Sequence, residues 1–294
     1  MTRIKNLIRL QQVLAAVCCT IALGGCSMSQ LVARSSLGLI DAGVRSMNQE
    51  TDLELARAAI PANLKLTESL ITELPGDRSL RIAAAQGFYG YAFGFIEDDA
   101  PERASLLYKR GLDHALAGLA AAGVQINLLD ASVEEVSRSV AALDKQTVPE
   151  LFWTASNWAK WIDLNRNDPA RIADLAKTER LMQRVLELDP DYYFGSPHLF
   201  FGVYYGSRPP MLGGDFAKSA LHFDQAAARS HKHWLIVEVL RAQFLLRQMD
   251  DRAAFHEHLS QVLATEDSPP EMALVNAIAR AKAQRLLSQE EDLF

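Results

Sequence analysis

Cysteine is scarce in this chain: three residues in 294, at positions 18, 19 and 26. Everything after Cys26 must therefore fold without a disulfide and act without a thiol nucleophile or thiolate ligand. Basic charge is not in excess either, with 30 Lys and Arg against 36 Asp and Glu and a formal net charge of -6. No basic stripe stands out, which excludes nucleic acid and charge-driven binding to anionic lipid as principal partners. Long apolar runs are missing: the stretch Val13 to Leu23 falls well short of the roughly 20 residues a spanning helix needs. Period-two alternation is never sustained, so strands are not expected. The chemical motifs are absent as well, with no His-Glu-x-x-His, no paired cysteine ligands and no Gly-x-Ser-x-Gly elbow. Among the seven histidines, His231 and His233, like His256 and His258, are two apart. On a helix such residues point about 200° apart and cannot share one ion. Asp98-Asp99 and Glu290-Glu291 fall in a turn and at the terminus, where carboxylates are solvated. These absences predict a non-enzyme with no metal and no cofactor.

What is present begins at the N-terminus. Arg3, Lys5 and Arg9 form a positive region ahead of the apolar stretch, which has the length of a signal-peptide core. Leu23-Gly24-Gly25-Cys26 follows and resembles the lipobox of bacterial lipoproteins. The reading is a signal peptide over residues 1–25 and a lipidated Cys26; a cleaved signal with an incidental cysteine, or a short anchor, are its alternatives. Ser27, rather than an aspartate, favours the outer membrane facing the periplasm. A lipidated tether and first helix are expected over residues 26–46. Residues 47–294 are expected to form one helical domain, because no linker divides them.

Amphipathic periodicity and punctuation predict an all-α fold of roughly eleven or twelve helices packed as antiparallel pairs. Ser132 followed by Glu135 fits a capping box, and Asp168-Pro169 fits a helix start. Phe88, Tyr91, Ala92 and Phe95, then Ala104, Tyr108 and Gly111, match the large-and-small spacing of a tetratricopeptide-like repeat. A second copy is suggested by Phe201, Gly202 and Tyr205 with Phe223 and Ala226, interrupted by a longer turn around Pro209 to Gly214. The array is therefore expected to be irregular. Gly213-Gly214-Asp215 reads as a structural turn in which the glycines take positive φ and Asp215 caps the next helix.

Aromatic residues concentrate between Leu151 and Asp215, where Trp153, Trp158 and Trp161 account for three of the four tryptophans. Such a stretch suits either the wall of a cleft or a core between helix layers. Its motifs are Trp158-Ala159-Lys160-Trp161-Ile162, Arg184 to Tyr192, Gly195-x-x-His198-x-x-x-Gly202-x-Tyr204-Tyr205, Pro209 and Gly213-Gly214-Asp215. With Leu274-Val275-Asn276-x-Ile278-Ala279 and the closing Asp292-Leu293-Phe294, their order resembles the T component of tripartite ATP-independent periplasmic (TRAP) transporters.

The resemblance implies a tetratricopeptide-like lipoprotein that assembles as a homotrimer and docks the solute-binding P component. It also implies a cleft for a small hydrophobic or organic-acid ligand. Carried onto this chain, the candidate lining is Trp158, Trp161, Tyr193, His198, Tyr204 and Tyr205, with Arg208 as carboxylate partner. An envelope scaffold lipoprotein without a small ligand is the alternative, and it predicts a filled core where these aromatics lie.

Overall fold

The computed structural model describes residues 28–294; the expected signal segment and the Cys26 lipidation site lie outside the described residues. Helices follow one another and no strand occurs among the described residues. The N-terminal helices are α1 (Met28–Ser35), α2 (Leu37–Asn48), α3 (Leu53–Glu73), α4 (Arg78–Phe95) and α5 (Pro101–Ala121). The middle holds α6 (Val133–Ala141), α7 (Val148–Asp163), the short α8 (Pro169–Ala173), α9 (Leu175–Leu188), α10 (Tyr192–Gly206) and α11 (Phe216–Arg229). The C-terminal part is α12 (Ile236–Arg241) with a π-helical turn at Ala242–Leu246, then α13 (Arg252–Ala264), α14 (Ala273–Ser288) and α15 (Glu290–Leu293). No helix among the described residues is long and apolar enough to cross a membrane.

Local chemistry explains where helices begin. At α6 the Ser132 hydroxyl accepts from Glu135 N at 3.2 Å, and the Glu135 carboxylate accepts from Ser132 N at 2.8 Å. Both orphan donors of the first turn are thus satisfied. Asp168 accepts from Ala170 N ahead of Pro169, where the missing N–H costs nothing. Asp52, Asp77 and Asp251 cap α3, α4 and α13 in the same way.

Packing follows the small residues. Phe88, Tyr91 and Ala92 of α4 and Ala104, Tyr108 and Gly111 of α5 are buried across the short turn between them, and Phe95 is half-buried. A Cβ at Gly111 would overlap the Asn157 side chain of α7 and approach Ala85 O to 3.2 Å. Asn157 in turn donates to Ala85 O at 3.2 Å and Trp153 O at 2.9 Å, locking three helices at one crossing.

The buried apolar residues fall into three main clusters rather than one. The first lies around α5, α7 and α9; the second spans α11 to α14; the third joins α3, α4 and the start of α5. Tyr89 and Phe93 of α4 and Tyr193 of α10 each border two of them. A polar knot ties the ends together at the turn after α4. Glu97 accepts from Lys160 of α7 at 2.7 Å, from Tyr108 at 2.6 Å and from Lys282 of α14 at 3.3 Å. Lys282 also reaches Asp98 at 2.7 Å, and Arg285 reaches Asp99 at 2.6 Å. Burial alone would raise the Glu97 carboxyl pKa, but Lys160 and Lys282 outweigh it and hold the pKa below the usual range.

Candidate functional site

Where the three clusters meet they do not fuse, and a cavity of about 1130 Å³ is left. Its walls come from α2, α3, α4, α7, α9, α10, α12 and α14. Aromatic rings make a continuous band along it. Tyr89 lies 5.6 Å from Trp153, Trp153 5.6 Å from Tyr193, Tyr193 5.4 Å from Phe194, and Phe194 6.0 Å from Trp234. Every ring in that band lines the cavity. Burial pushes the Tyr89 phenol up to about 12 and raises that of Tyr193, so the band stays uncharged at neutral pH. Gln86 donates to the Tyr193 hydroxyl at 3.4 Å.

The orientation of Tyr193 and Phe194 is set by backbone. Tyr193, Phe194 and Gly195 have φ of 45°, 62° and 81°, a left-handed turn ahead of Pro197 and the regular part of α10. Each non-glycine residue there costs roughly 1–2 kcal/mol. Only glycine fits at 195 in any case, because a Cβ would come within 2.8 Å of Arg229 Cβ. The turn is closed by Ser196 Oγ donating to Tyr193 O at 2.5 Å. Strain of this kind persists where the surroundings over-determine it, and it concentrates at functional surfaces.

Three cations line the cavity: Lys160, Arg166 and Arg208. Lys160 is neutralised by Glu97 and lies 3.7 Å from Asp163, while Arg166 pairs with Asp163. Arg208 has no carboxylate partner among the described residues. Its Nη2 donates to Tyr204 O at 3.0 Å, its guanidinium lies 4.2 Å from the centre of the Tyr204 ring, and its buried Nε has no hydrogen-bond partner. Glu179 accepts from the Tyr204 hydroxyl at 3.0 Å instead of pairing with it.

The loop that presents Arg208 depends on both glycines, for different reasons. Gly213 sits at φ 84°, whereas a Cβ at Gly214 would overlap Arg208 O. Asp215 then caps α11 by accepting from Lys218 N at 3.0 Å.

Of the residues named from sequence, Tyr193, Tyr204 and Arg208 come together on the cavity wall; Trp158, Trp161, His198 and Tyr205 are not on it. Trp158 is fully buried within the first cluster, and Trp161 faces away, with the Arg171 guanidinium 4.0 Å from its ring centre. Tyr205 stacks on Phe201 and His222 under Lys218. The wall residues missed from sequence are Tyr89, Trp153, Phe194 and Trp234. Trp234 lies outside the aromatic-rich stretch, between His231-Lys232-His233 and Leu235-Ile236-Val237, and carried no signal.

His198 is instead half of a histidine pair, its Nδ1 3.0 Å from Nδ1 of His222 between α10 and α11. One nitrogen must donate and the other accept, so the accepting ring cannot gain a proton at Nδ1 without losing the contact. Burial, then Arg229 and His222, push the His198 pKa down to about 4; burial and Lys218 lower that of His222. Between an unfolded pKa near 6.5 and about 4 the unfolded chain binds more protons, so stability falls as pH falls through that window. Replacing His198 with asparagine is expected to reduce the acid-induced loss between pH 6.5 and 4 by about 2 kcal/mol. Urea unfolding at stepped pH checks this, and an unchanged slope would reject it.

No cluster of three or more metal-ligating side chains occurs among the described residues. Fold and site together define an all-helical protein built around an aromatic-banded cavity with one guanidinium on its wall that no carboxylate of the described residues pairs. The family model described as TRAP transporter T-component matches residues 49–294, and the chain belongs to that family. A protein of Treponema pallidum (strain Nichols), described only as uncharacterized, is 24% identical over 304 residues, covering 96% of this chain and 94% of that protein. Family membership makes this a transporter component and not a member of a known enzyme family, and it points to the cell envelope.

Proposed function

We propose that this chain is a periplasm-facing lipoprotein, anchored through Cys26 in the outer membrane. There it serves as the accessory subunit of a TRAP uptake system. It forms a homotrimer, docks the solute-binding P component, and holds a small amphipathic organic acid in its cavity. Residues 47–294 act as one tetratricopeptide-like unit. The ligand's apolar part lies along Tyr89, Trp153, Tyr193, Phe194 and Trp234, and its carboxylate meets Arg208 beside Tyr204.

One observation carries the ligand reading. Half-buried Arg208 borders the aromatic band without a carboxylate partner among the described residues and with its buried Nε unpartnered, an arrangement that a ligand anion would complete. An envelope scaffold without a ligand would gain nothing from leaving that volume unfilled, since an empty apolar space loses dispersion contacts on every wall. Lys160 and Arg166, both compensated, do not compete for the ligand.

The assembly is tested by size-exclusion with light scattering on the chain lacking residues 1–26, alone and mixed with a candidate TRAP solute-binding protein from the same organism. A species of three times the monomer mass that co-elutes with the partner is the expected result. A monomer that ignores the partner would overturn the assembly.

A further inference from the structure

Helix α2 differs from every other long helix of the fold. It buries none of its residues, and no ion pair ties its Asp41 or Arg45 to the body among the described residues. Its apolar residues nevertheless form one stripe. Leu39, Ile40, Gly43, Val44 and Met47 recur at intervals of three and four, and all of them border the cavity. Leu39 is 73% exposed and Val44 37% exposed although both belong to the cavity wall. Facing the cavity, this stripe has few atoms to meet. Its contacts with the body come from Leu37 and Ile40 against the third cluster, from Met47 beside Leu274 and Ile278, and from the nearby turn Pro270–Met272.

The backbone keeps helical dihedrals from α1 into α2 through Ser36, and the pivot lies at the other end. Residue Ser36 separates it from α1 and bonds back to Val32 O at 2.9 Å. At the other end α3 is firmly started, with Asp52 accepting from Glu54 N and Leu55 N at 2.9 and 3.0 Å. Glu50 accepts from Thr51 N and Asp52 N, leaving Gln49 as the joint. The family model matches from residue 49, immediately after α2.

We infer that α2 is a hinged cover of the cavity, closing on the apolar part of the bound amphipathic acid with Leu39 and Val44 as its ligand contacts. This rests on the ligand reading proposed above. With the cavity empty, the stripe meets little and α2 is held weakly. A ligand chain along the aromatic band supplies the missing surface, so closure and binding stabilise each other. Because the contacts form after the ligand is seated, they slow its departure more than they speed its arrival.

Hydrogen–deuterium exchange on the chain lacking residues 1–26, with and without saturating dodecanoate, tests this directly. The expected result is fast exchange over residues 37–48 in the free protein and slowing there by roughly tenfold with dodecanoate, alongside protection of residues 193–208. In stopped-flow, the double variant Leu39→Ser/Val44→Ser is expected to release dodecanoate roughly tenfold faster with its melting temperature unchanged. Protection of 193–208 without any change in 37–48, or a release rate equal to that of the parent, would overturn the cover and leave the ligand reading standing. Absence of protection in both segments would overturn both.

Discussion

Replacing Arg208 with leucine is expected to weaken dodecanoate binding by roughly 30- to 100-fold while leaving dodecanol binding within a factor of about three. The magnitude follows from a charge-assisted hydrogen bond in a partly dry site, about 2–3 kcal/mol, at 1.4 kcal/mol for each tenfold. The alcohol separates charge from shape, because it fills the same aromatic band without a carboxylate. Leucine also relieves the one uncompensated cation on the wall, so the variant should melt no lower than the parent. Equal loss for acid and alcohol would mean that Arg208 shapes the loop and does not read the ligand. Equal retention would remove the carboxylate from the proposed function. Calorimetric titration of both probes decides among these outcomes.

The second large effect concerns the fold. Glu150 of α7 is fully buried, and its charge is met by Arg78 of α4, whose Nε lies 2.6 Å from Oε1. Arg78 also donates to Gln146 O at 2.9 Å, and Glu150 Oε2 has no partner of its own. Arg78→Met leaves a buried carboxylate without its counter-charge, which costs about 3–5 kcal/mol. For a chain of this size that lowers the melting temperature by roughly 10 °C. Arg78→Met combined with Glu150→Gln is expected to recover most of the loss, since the neutral amide needs no counter-charge. Thermal unfolding followed by circular dichroism would give the comparison. A single variant that melts with the parent would show that the pair contributes nothing net.

Much of the architecture was legible because its signals are local. The Ser132–Glu135 box and the Asp168-Pro169 start are written in a few adjacent residues, and the helices begin where those residues stand. The large-and-small spacing of α4 and α5 coincides with the residues buried between them, because close approach depends on side-chain size alone. The cavity wall was only partly legible. Helix α7 is buried on almost every side, from Val148 through Trp158, so periodicity cannot say which tryptophan faces a void and which a neighbour. That choice belongs to the packing of α4 and α10, and it falls on Trp153. The left-handed turn at Tyr193 and Phe194 leaves no trace beyond Gly195, since non-glycine residues there oppose local preference and are held by tertiary contacts. Tyr89 reaches the wall from α4 and Trp234 from the segment just before α12, distant in sequence, which no one-dimensional pattern connects.

The knot at Glu97 has a consequence for how the chain comes apart. An open array of helix pairs touches only its neighbours, so its ends can fray while its middle stays folded. Here Lys282 closes onto Glu97 across 185 positions of sequence, and Arg285 fastens beside it on Asp99. Among the described residues the helices from the turn after α4 to α14 are thereby closed into a hoop. A hoop cannot shed one link without slackening all the others, so the walls of the cavity share a single fate: they stand together or open together.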